Sequence, residues 1–192
     1  MKKTLYLIRH GQTMFNRQKR IQGWCDSPLT DTGKRQADAV KDYFEKKGIK
    51  FDHAYCSTSE RCSDTLERIT DMPYTRTKGL KEMFYGELEA ESERLASNDP
   101  VECETYYLRF GGESSNTVRE RMITALSQIM EKEDHHCVLA VSHGGASFNF
   151  LRGIGTDMER FAKGLTNCCI FVLEYEEGRF ELIDYVPNPI TS

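Results

Sequence analysis

Blocks of apolar residues and blocks with helical spacing follow one another along the chain. The blocks predicted as strands are 3–9, 51–56, 75–78 and 138–141. Those predicted as helices are 33–47, 57–70 and a longer one opened by Thr117, which forms a capping box with Glu120. The order of elements is therefore strand, helix, strand, helix, over most of the chain.

The carboxyl-terminal region carries a different pattern. Residues 168–175 and 179–186 predict two strands joined by Glu176-Glu177-Gly178, which is typical of a hairpin. Alternating strands and helices predict an α/β fold, a three-layer α/β/α sandwich whose mostly parallel sheet gains an antiparallel edge from this hairpin. In such sheets, ligands bind outside the carboxyl ends of the strands.

A polar, glutamate-rich stretch interrupts this alternation at about 79–116. It is broken by Asn98-Asp99-Pro100 and by Gly111-Gly112, which favour turns. We expect a partly helical lid inserted over one end of the sheet. The 192 residues are otherwise predicted to form one domain over 1–192.

Composition excludes several functional classes. A net charge of −4, with 39% hydrophobic and 29% charged residues, is typical of a soluble globular protein and unlike a nucleic-acid binder. No apolar run approaches the ~18 residues of a membrane span, and the run at 5–8 is too short for a secretion signal. Seven cysteines without C-x-x-C spacing predict a reduced, cytoplasmic chain. An anion site must therefore arise from local charge.

Two predicted strands end in the same way, in "LYLIRHG" and in "VLAVSHGG". If the strands are parallel neighbours, His10 and His143 face each other at one sheet edge, with Arg9 beside them. A single histidine at a strand end is usually a structural hydrogen-bonding residue. The repeated context favours a functional site at this edge.

Arg61 is a second candidate cation. It lies in the first turn of the helix after "CSTS", where the helix amino terminus favours anions and a guanidinium binds phosphate oxygens with a planar fork. The alternative is that Arg61 pairs with Glu60 or Asp64 on the surface.

Glu82 is a candidate general acid, because it lies in an otherwise apolar patch that includes Leu80, Met83 and Phe84. Such surroundings can raise the proton affinity of a carboxyl group. The neighbouring acidic residues are expected to be solvated, and they are Glu87, Glu89 and Glu91.

Two other groups of residues suggest weaker alternatives. A metal site on His135-His136 with Cys137 is possible, but neighbouring strand residues point to opposite faces, so a solvated strand start is expected there. A thiol enzyme built on Cys168-Cys169 is supported only by two adjacent cysteines in a predicted strand, where such residues are usually small buried hydrophobes.

Taken together, these motifs resemble the histidine phosphatase superfamily, the phosphoglycerate-mutase-like fold. The Arg-His-Gly-x-Thr-x-x-Asn signature of that family is matched by Arg9, His10, Gly11, Thr13 and Asn16. The family's continuation is matched in "IQGWCDSPLTDTG" by Gly23, Trp24, Asp26, Pro28, Leu29, Thr30 and Gly33. The segments "STSERCSDT", "KEMFYG" and "VSHGG" supply Arg61, Glu82 and His143 in the family's order.

The resemblance implies roles for these residues. His10 is implied to be the nucleophile that becomes phosphohistidine, while Arg9, Arg61 and His143 hold the phosphoryl oxygens. Glu82 is implied to protonate the leaving oxygen and then to take a proton from the attacking water. The residues implied to contact substrate are Arg9, Asn16, Gln22, Arg61, Tyr85, His143 and Gly144. The reaction needs no metal or other cofactor.

The family contains phosphomonoester phosphatases and mutases that use 2,3-bisphosphoglycerate. Mutases have a longer insertion with a paired-arginine motif and a longer carboxyl-terminal tail, whereas this insertion holds only Arg94 and Arg109, far apart. A phosphatase acting on small phosphorylated metabolites is therefore favoured. Tyr85 matches a mutase residue and keeps the mutase alternative open, and Ala90 replaces the glycine that commonly follows Glu89. A catalytically silent phosphate-binding module is a third alternative.

The outer pocket is expected to be aromatic and apolar, which suits a broad range of phosphomonoesters. Its candidate residues are Phe15, Ile21, Trp24, Phe84 and Tyr85. Trp24 is either part of this wall or a packing anchor. The predicted partner is a small phosphorylated substrate, with no nucleic acid and no membrane.

Overall fold

Six strands form one sheet in the computed structural model, which describes residues 2–97, 102–162 and 164–190. They are β1 (Lys3–Arg9), β2 (His53–Ser57), β3 (Tyr74–Thr77), β4 (Cys137–Ser142), β5 (Ile170–Glu176) and β6 (Arg179–Val186). Their order is β3-β2-β4-β1-β5-β6. The pairings among β3, β2, β4 and β1 are parallel, whereas β5 pairs antiparallel with both β1 and β6, so the predicted mostly parallel sheet with an antiparallel edge is confirmed.

Helices cover both faces of the sheet. The α-helices of the described residues are α1 (Met14–Gln18), α2 (Asp31–Lys47), α3 (Glu60–Ile69), α4 (Ser115–Met130) and α5 (Gly144–Gly153). The α2 helix packs with α3, and α4 packs with α5. The predicted three-layer α/β/α arrangement is therefore confirmed.

Side chains of β1 alternate between two hydrophobic cores. Leu5 and Leu7 pack in the core formed with α4 and α5, while Ile8 packs in the core formed with α2 and α3. All three are fully buried, and burial of such a side chain contributes about 1.5–3 kcal/mol. The β1 strand is thus packed on both faces, which fixes the position of its carboxyl end.

The α4 helix begins earlier than its sequence suggests. The predicted capping box on Thr117 is wrong, because the helix begins at Ser115 and Ser114 is its cap. The Ser114 hydroxyl accepts a hydrogen bond from the backbone N–H of Thr117 at 3.1 Å. Both serines look like loop residues in the sequence, so the capping-box pattern on Thr117 placed the helix cap three residues late.

The hairpin is confirmed with one shorter strand. The β5 strand begins at Ile170 because Cys168 has a left-handed backbone (φ 53°) and its N–H donates to the Arg9 carbonyl at 3.0 Å. Glu177 and Gly178, both at positive φ, form the turn to β6.

The α1 and α5 helices were not predicted. The α1 helix has only five residues, and α5 opens with Gly144-Gly145, which reads as a turn in the sequence. The α5 start matters most, because it follows His143 directly and presents its first backbone N–H groups at the carboxyl ends of the strands.

The segment between β3 and α4 contains short 3-10 turns. They are Lys78–Leu80, Gly86–Leu88, Glu93–Leu95, Glu102–Glu104 and Tyr106–Phe110. The predicted break at Asn98-Asp99-Pro100 lies outside the described residues. Among the described residues, no helix has the length and apolarity needed to cross a bilayer.

The start of β4 differs from its prediction in one residue. His136 is exposed as expected, but His135 is only 3% exposed, so the prediction of a solvated pair is wrong. The His135 ring packs face to face on His53, with ring centroids 3.6 Å apart.

Candidate active site

The two strand-end histidines meet at the carboxyl ends of two central strands of the sheet. The β1 and β4 strands are parallel neighbours, with Arg9 opposite Ser142, so the residues that follow them are side by side. The ring centroids of His10 and His143 are 5.3 Å apart. Both imidazoles are buried, at 3% and 0% exposure. The predicted juxtaposition is confirmed.

His10 is held in one tautomer. Its Nδ1 lies 2.8 Å from the carbonyl oxygen of Gly11, and because a carbonyl only accepts, Nδ1 carries the proton. Burial, followed by the charges of Arg61 and Arg9, lowers the pKa of His10 well below its ordinary value. The ring is therefore neutral near pH 7, and Nε2 retains a free lone pair.

The backbone after His10 presses against the start of α2. A Cβ atom added to Gly11 would lie 2.6 Å from the Gly33 carbonyl oxygen, and one added to Gly33 would lie 2.1 Å from the Gln12 carbonyl oxygen. The Gly11 N–H also donates to the hydroxyl of Thr65 at 3.0 Å. Two glycines far apart in sequence thus allow one close backbone contact behind the imidazole.

Arg61 is buried beside His143 and does not form the surface pair considered above. It is 1% exposed, and its Nη1 donates to the Asp26 carboxylate at 3.0 Å and to the Cys25 carbonyl at 2.9 Å. Its Nη2 donates to the Gly23 carbonyl at 2.7 Å and to Nδ1 of His143 at 2.8 Å. The guanidinium is therefore fixed in orientation.

Ser57 is a site residue that sequence reasoning missed. Because Arg61 only donates, Nδ1 of His143 accepts, and Nε2 of the neutral ring carries the proton, which it directs at the Ser57 hydroxyl 2.8 Å away. Burial and the Arg61 charge lower the pKa of His143 well below its ordinary value. The strand end before a predicted helix was the only sequence signal for Ser57.

The carboxylate of Glu82 lies at the amino terminus of α5. Its Oε2 accepts from the backbone N–H of Gly145 at 3.0 Å, and its Oε1 accepts from those of Ala146 at 2.6 Å and Met83 at 2.8 Å. These polar contacts differ from the apolar surroundings expected for Glu82. The side chain is 7% exposed and is aligned by α5, the helix that the sequence did not reveal.

A loop that includes residues 23–26 positions Arg61, and Glu89 holds that loop. The Glu89 carboxylate accepts from the backbone N–H groups of Trp24 at 2.6 Å and Cys25 at 2.8 Å. The expectation that Glu89 is solvated is wrong, because the side chain is half-buried under the turn. The two loop residues that it holds are more than 60 residues away in sequence, so no local pattern marks this role.

These side chains surround a cavity of about 600 Å³. The predicted residues that line it are Arg9, His10, Asn16, Gln22, Arg61, Glu82, Tyr85 and Gly144. His143 is not among the lining residues, since it lies fully buried behind Arg61. Lining residues that sequence reasoning missed include Arg20, Glu93, Ala96, Tyr107, Phe148 and Leu165.

The amides near the cavity have defined orientations. The Asn16 side-chain oxygen accepts from the Thr13 backbone N–H and from the Asn167 side chain, both at 3.2 Å, which leaves its NH₂ group to donate to a ligand. Gln22 accepts from the Thr13 hydroxyl at 2.8 Å and donates to Ser27 at 3.2 Å. Asn16 is thus the better placed donor of the two.

The aromatic wall is only partly as expected. Ile21 and Tyr85 line the cavity, but Phe15, Trp24 and Phe84 do not. Trp24 is a packing anchor, because its indole N–H donates to the Glu82 carbonyl at 2.9 Å and its ring packs on Phe84 with centroids 4.7 Å apart.

Three buried N–H groups have no hydrogen-bond partner among the described residues. One is Nε of Arg119 on α4, and the other two are Nε of Arg9 and Nε of Arg61, both of which belong to residues that line the cavity. Buried donors in proteins are almost always paired, and an unpaired one costs about 1–3 kcal/mol. The unpaired donors of these two cationic residues therefore favour a negatively charged ligand at this wall of the cavity.

The sequence of this chain matches known proteins over nearly its whole length. The family model described as the histidine phosphatase superfamily (branch 1) matches residues 5–187. An uncharacterized phosphatase, PhoE of Bacillus subtilis, is 30% identical over 191 residues, covering 95% of this chain and 93% of the relative. A probable phosphoglycerate mutase, GpmB of Yersinia pestis, is 33% identical over 189 residues, covering 91% and 86%.

The fold of this chain is also found in a solved structure. Bacillus stearothermophilus YhfR superimposes with a TM-score of 0.81 at 26% identity, over 94% of this chain and 95% of that protein. The relatives thus include both a phosphatase and a probable mutase by name.

Proposed function

Because the chain belongs to the histidine phosphatase superfamily, whose members are phosphatases or mutases, we propose that it hydrolyses phosphomonoesters of small metabolites through a phosphohistidine at His10. The observation that carries this proposal is the neutral imidazole of His10 beside the two unpaired Nε donors of Arg9 and Arg61. A nucleophile next to preoriented positive charge is the arrangement that phosphoryl transfer requires.

In the first step, Nε2 of His10 attacks phosphorus in line with the ester oxygen. The N–P bond forms as the P–O bond to the leaving group breaks, and Glu82 in its protonated form gives its proton to the leaving oxygen. The guanidinium groups of Arg9 and Arg61 offset the charge on the transferring group. This charge compensation is supplied by the chain's own residues and needs no metal ion.

In the second step, a water molecule replaces the alcohol. The Glu82 carboxylate, now unprotonated, takes a proton from the water as its oxygen attacks phosphorus, and the N–P bond breaks. His10 regains its lone pair, inorganic phosphate leaves, and Glu82 is again protonated. The sum of the two steps is the hydrolysis of one ester bond.

Two observations favour hydrolysis over mutase activity. Arg109 is exposed and pairs with Glu102 at 3.0 Å, and neither Arg94 nor Arg109 is among the residues that line the cavity. The segment at 79–116 therefore contributes no arginine pair to the cavity, unlike the paired-arginine motif of the mutases. Mutase activity remains the second candidate, because Tyr85 and Arg20 line the cavity and can contact a second acidic group.

We further propose that the whole chain is one domain and that residues 79–116 cover the cavity as a lid. Glu93, Ala96 and Tyr107 of this segment line the cavity, which supports that role. Seven cysteines present as free thiols support a reducing compartment, the cytoplasm.

The test is phosphate release from a panel of phosphomonoesters in EDTA, including 3-phosphoglycerate. Release from at least one ester without added metal is the expected result. If no ester is hydrolysed but 3-phosphoglycerate is isomerised when 2,3-bisphosphoglycerate is added, the chain is a mutase. If neither reaction occurs while phosphate still binds, it is a binding module.

The protonation of His10 gives a pH prediction. Since its pKa is lowered, the reactive neutral ring persists as the pH falls through the ordinary histidine value of about 6.5. We expect an NMR titration of the His10 Cε1–H signal, assigned with His10→Ala, to have its midpoint below pH 6.5. A midpoint at or above 6.5 would contradict the buried, cation-flanked environment.

Ser57 is proposed as a positioning residue that acts through His143. In Ser57→Ala the His143 ring loses the acceptor for Nε2–H, so we expect kcat to fall about 10-fold to 100-fold while KM changes little. Ser63→Ala is the matched control, because Ser63 is also buried and its hydroxyl donates to the Glu60 carbonyl at 3.0 Å, not to Ser57 or His143. Equal kcat values in the two variants, measured with nitrophenyl phosphate, would remove Ser57 from this role.

A further inference from the structure

Three side chains with metal-binding atoms meet at the amino ends of the strands, on the opposite end of the sheet from the candidate active site. His53 begins β2, while Asp134 and His135 lie just before β4. One ligand atom from each lies within 4.8 Å of the other two. Because β2 and β4 are parallel neighbours, their amino ends bring these residues together, far from the carboxyl ends that carry Ser57 and His143.

Asp134 joins the two imidazoles. Its Oδ1 lies 2.8 Å from Nδ1 of His135, and its Oδ2 lies 3.0 Å from Nε2 of His53. The Asp134 side chain is 71% exposed and that of His53 is 34% exposed, whereas His135 is buried. The carboxylate therefore stands between two ring nitrogens where an ion from solvent can reach it.

The far side of the His135 ring is held by Tyr55. The Tyr55 hydroxyl lies 2.8 Å from Nε2 of His135 and accepts from Nζ of Lys132 at 2.9 Å. A hydrogen bond at the far ring nitrogen is the contact that metal-binding histidines usually have, because it fixes the ring orientation. His135 thus presents Nδ1 towards Asp134 in a fixed direction.

We propose that His53, Asp134 and His135 bind one divalent transition-metal ion, for which Zn²⁺ is the best suited. Two imidazole nitrogens and one carboxylate oxygen are a ligand set that Zn²⁺ accepts, with water in the fourth position. The ion joins the starts of β2 and β4 and stabilises the fold. It takes no part in phosphoryl transfer, so this inference does not rest on the proposed function.

Binding requires one ring to turn. The His53 and His135 rings are stacked at 3.6 Å and are 11° from parallel. An imidazole nitrogen binds a metal in the plane of its own ring, so two parallel rings cannot both point at one ion. His53 is the ring that turns, because it is partly exposed while Tyr55 holds His135.

The experiment is a calorimetric titration of the metal-stripped full-length protein with ZnCl₂. We expect the wild type to bind one more equivalent of Zn²⁺ than His53→Ala and Asp134→Asn. His136→Ala is the matched control, because His136 is exposed and is not a member of the cluster, and it should keep the extra equivalent. Zn²⁺ bound by other histidines or by thiols contributes equally to all four proteins.

A second measurement guards against variants that fold poorly. Zn²⁺ should raise the Tm of the wild type and of His136→Ala but not that of His53→Ala, and Tyr55→Phe should weaken Zn²⁺ binding about 10-fold to 100-fold. A circular dichroism spectrum of metal-free His53→Ala that matches that of the metal-free wild type would show that it is folded. Equal Zn²⁺ stoichiometry and equal Tm shifts in all variants would overturn the site, whatever the outcome for the active site.

Discussion

Replacing His10 with alanine is expected to abolish phosphate release, lowering kcat/KM by about 10⁴-fold or more. Alanine removes Nε2, the nitrogen proposed to attack phosphorus, while Arg9 and Arg61 stay in position to bind the phosphoryl group. Substrate binding should therefore change much less than turnover. The measurement is phosphate release in EDTA by the two proteins, with substrate or vanadate affinity determined alongside.

The intermediate can be tested directly. Rapid quenching of the wild type with ³²P-labelled substrate should trap label that is acid-labile and alkali-stable, as expected of phosphohistidine, and His10→Ala should trap none. The exposed His136 offers the same substitution outside the cavity, so His136→Ala should behave as the wild type. A His10→Ala variant that retains even a tenth of the wild-type rate would show that the phosphoryl group is not transferred to His10.

Glu82→Gln is expected to slow hydrolysis of alkyl phosphates about 10²-fold to 10⁴-fold, the range typical of general acid catalysis. An alkoxide is a poor leaving group and needs the proton that Glu82 supplies, whereas nitrophenolate leaves with little protonation. Nitrophenyl phosphate should therefore be affected much less. The measurement is the ratio of kcat/KM for the two substrates in each protein.

This ratio separates chemistry from structural damage. In Glu82→Gln, the side-chain NH₂ group would face the Gly145 N–H, so two donors would oppose each other. This misfit would affect both substrates equally. Glu87→Gln is the matched control, because Glu87 is exposed and outside the cavity lining. Equal losses on both substrates would remove Glu82 from the acid role.

The sequence predicted the architecture and the residues at the strand ends, since these depend on local patterns. Alternation of apolar blocks predicted the sheet and its two helical layers, and the repeated strand-His-Gly form predicted that His10 and His143 lie together. Strands that are joined through helices pair in parallel, so their carboxyl ends lie at the same end of the sheet.

What the sequence did not reveal depends on contacts between distant segments. The α5 helix opens with two glycines, and its role in aligning Glu82 is visible only when residues 82 and 145 are adjacent. Glu89 holds the turn under Arg61 across more than 60 residues, and Ser57 acts on a histidine 86 residues away. Hydrogen bonds of this kind leave no periodicity in the chain.

The backbone contact between Gly11 and Gly33 restricts which libraries of variants can alter substrate range. A side chain at either position would need to displace main-chain atoms that lie within 2.6 Å, and that displacement would pass directly to the imidazole of His10. Saturation mutagenesis there would sample mostly inactive proteins. Ala96 and Phe148 are better positions for such libraries, because they also line the cavity but are partly exposed to solvent.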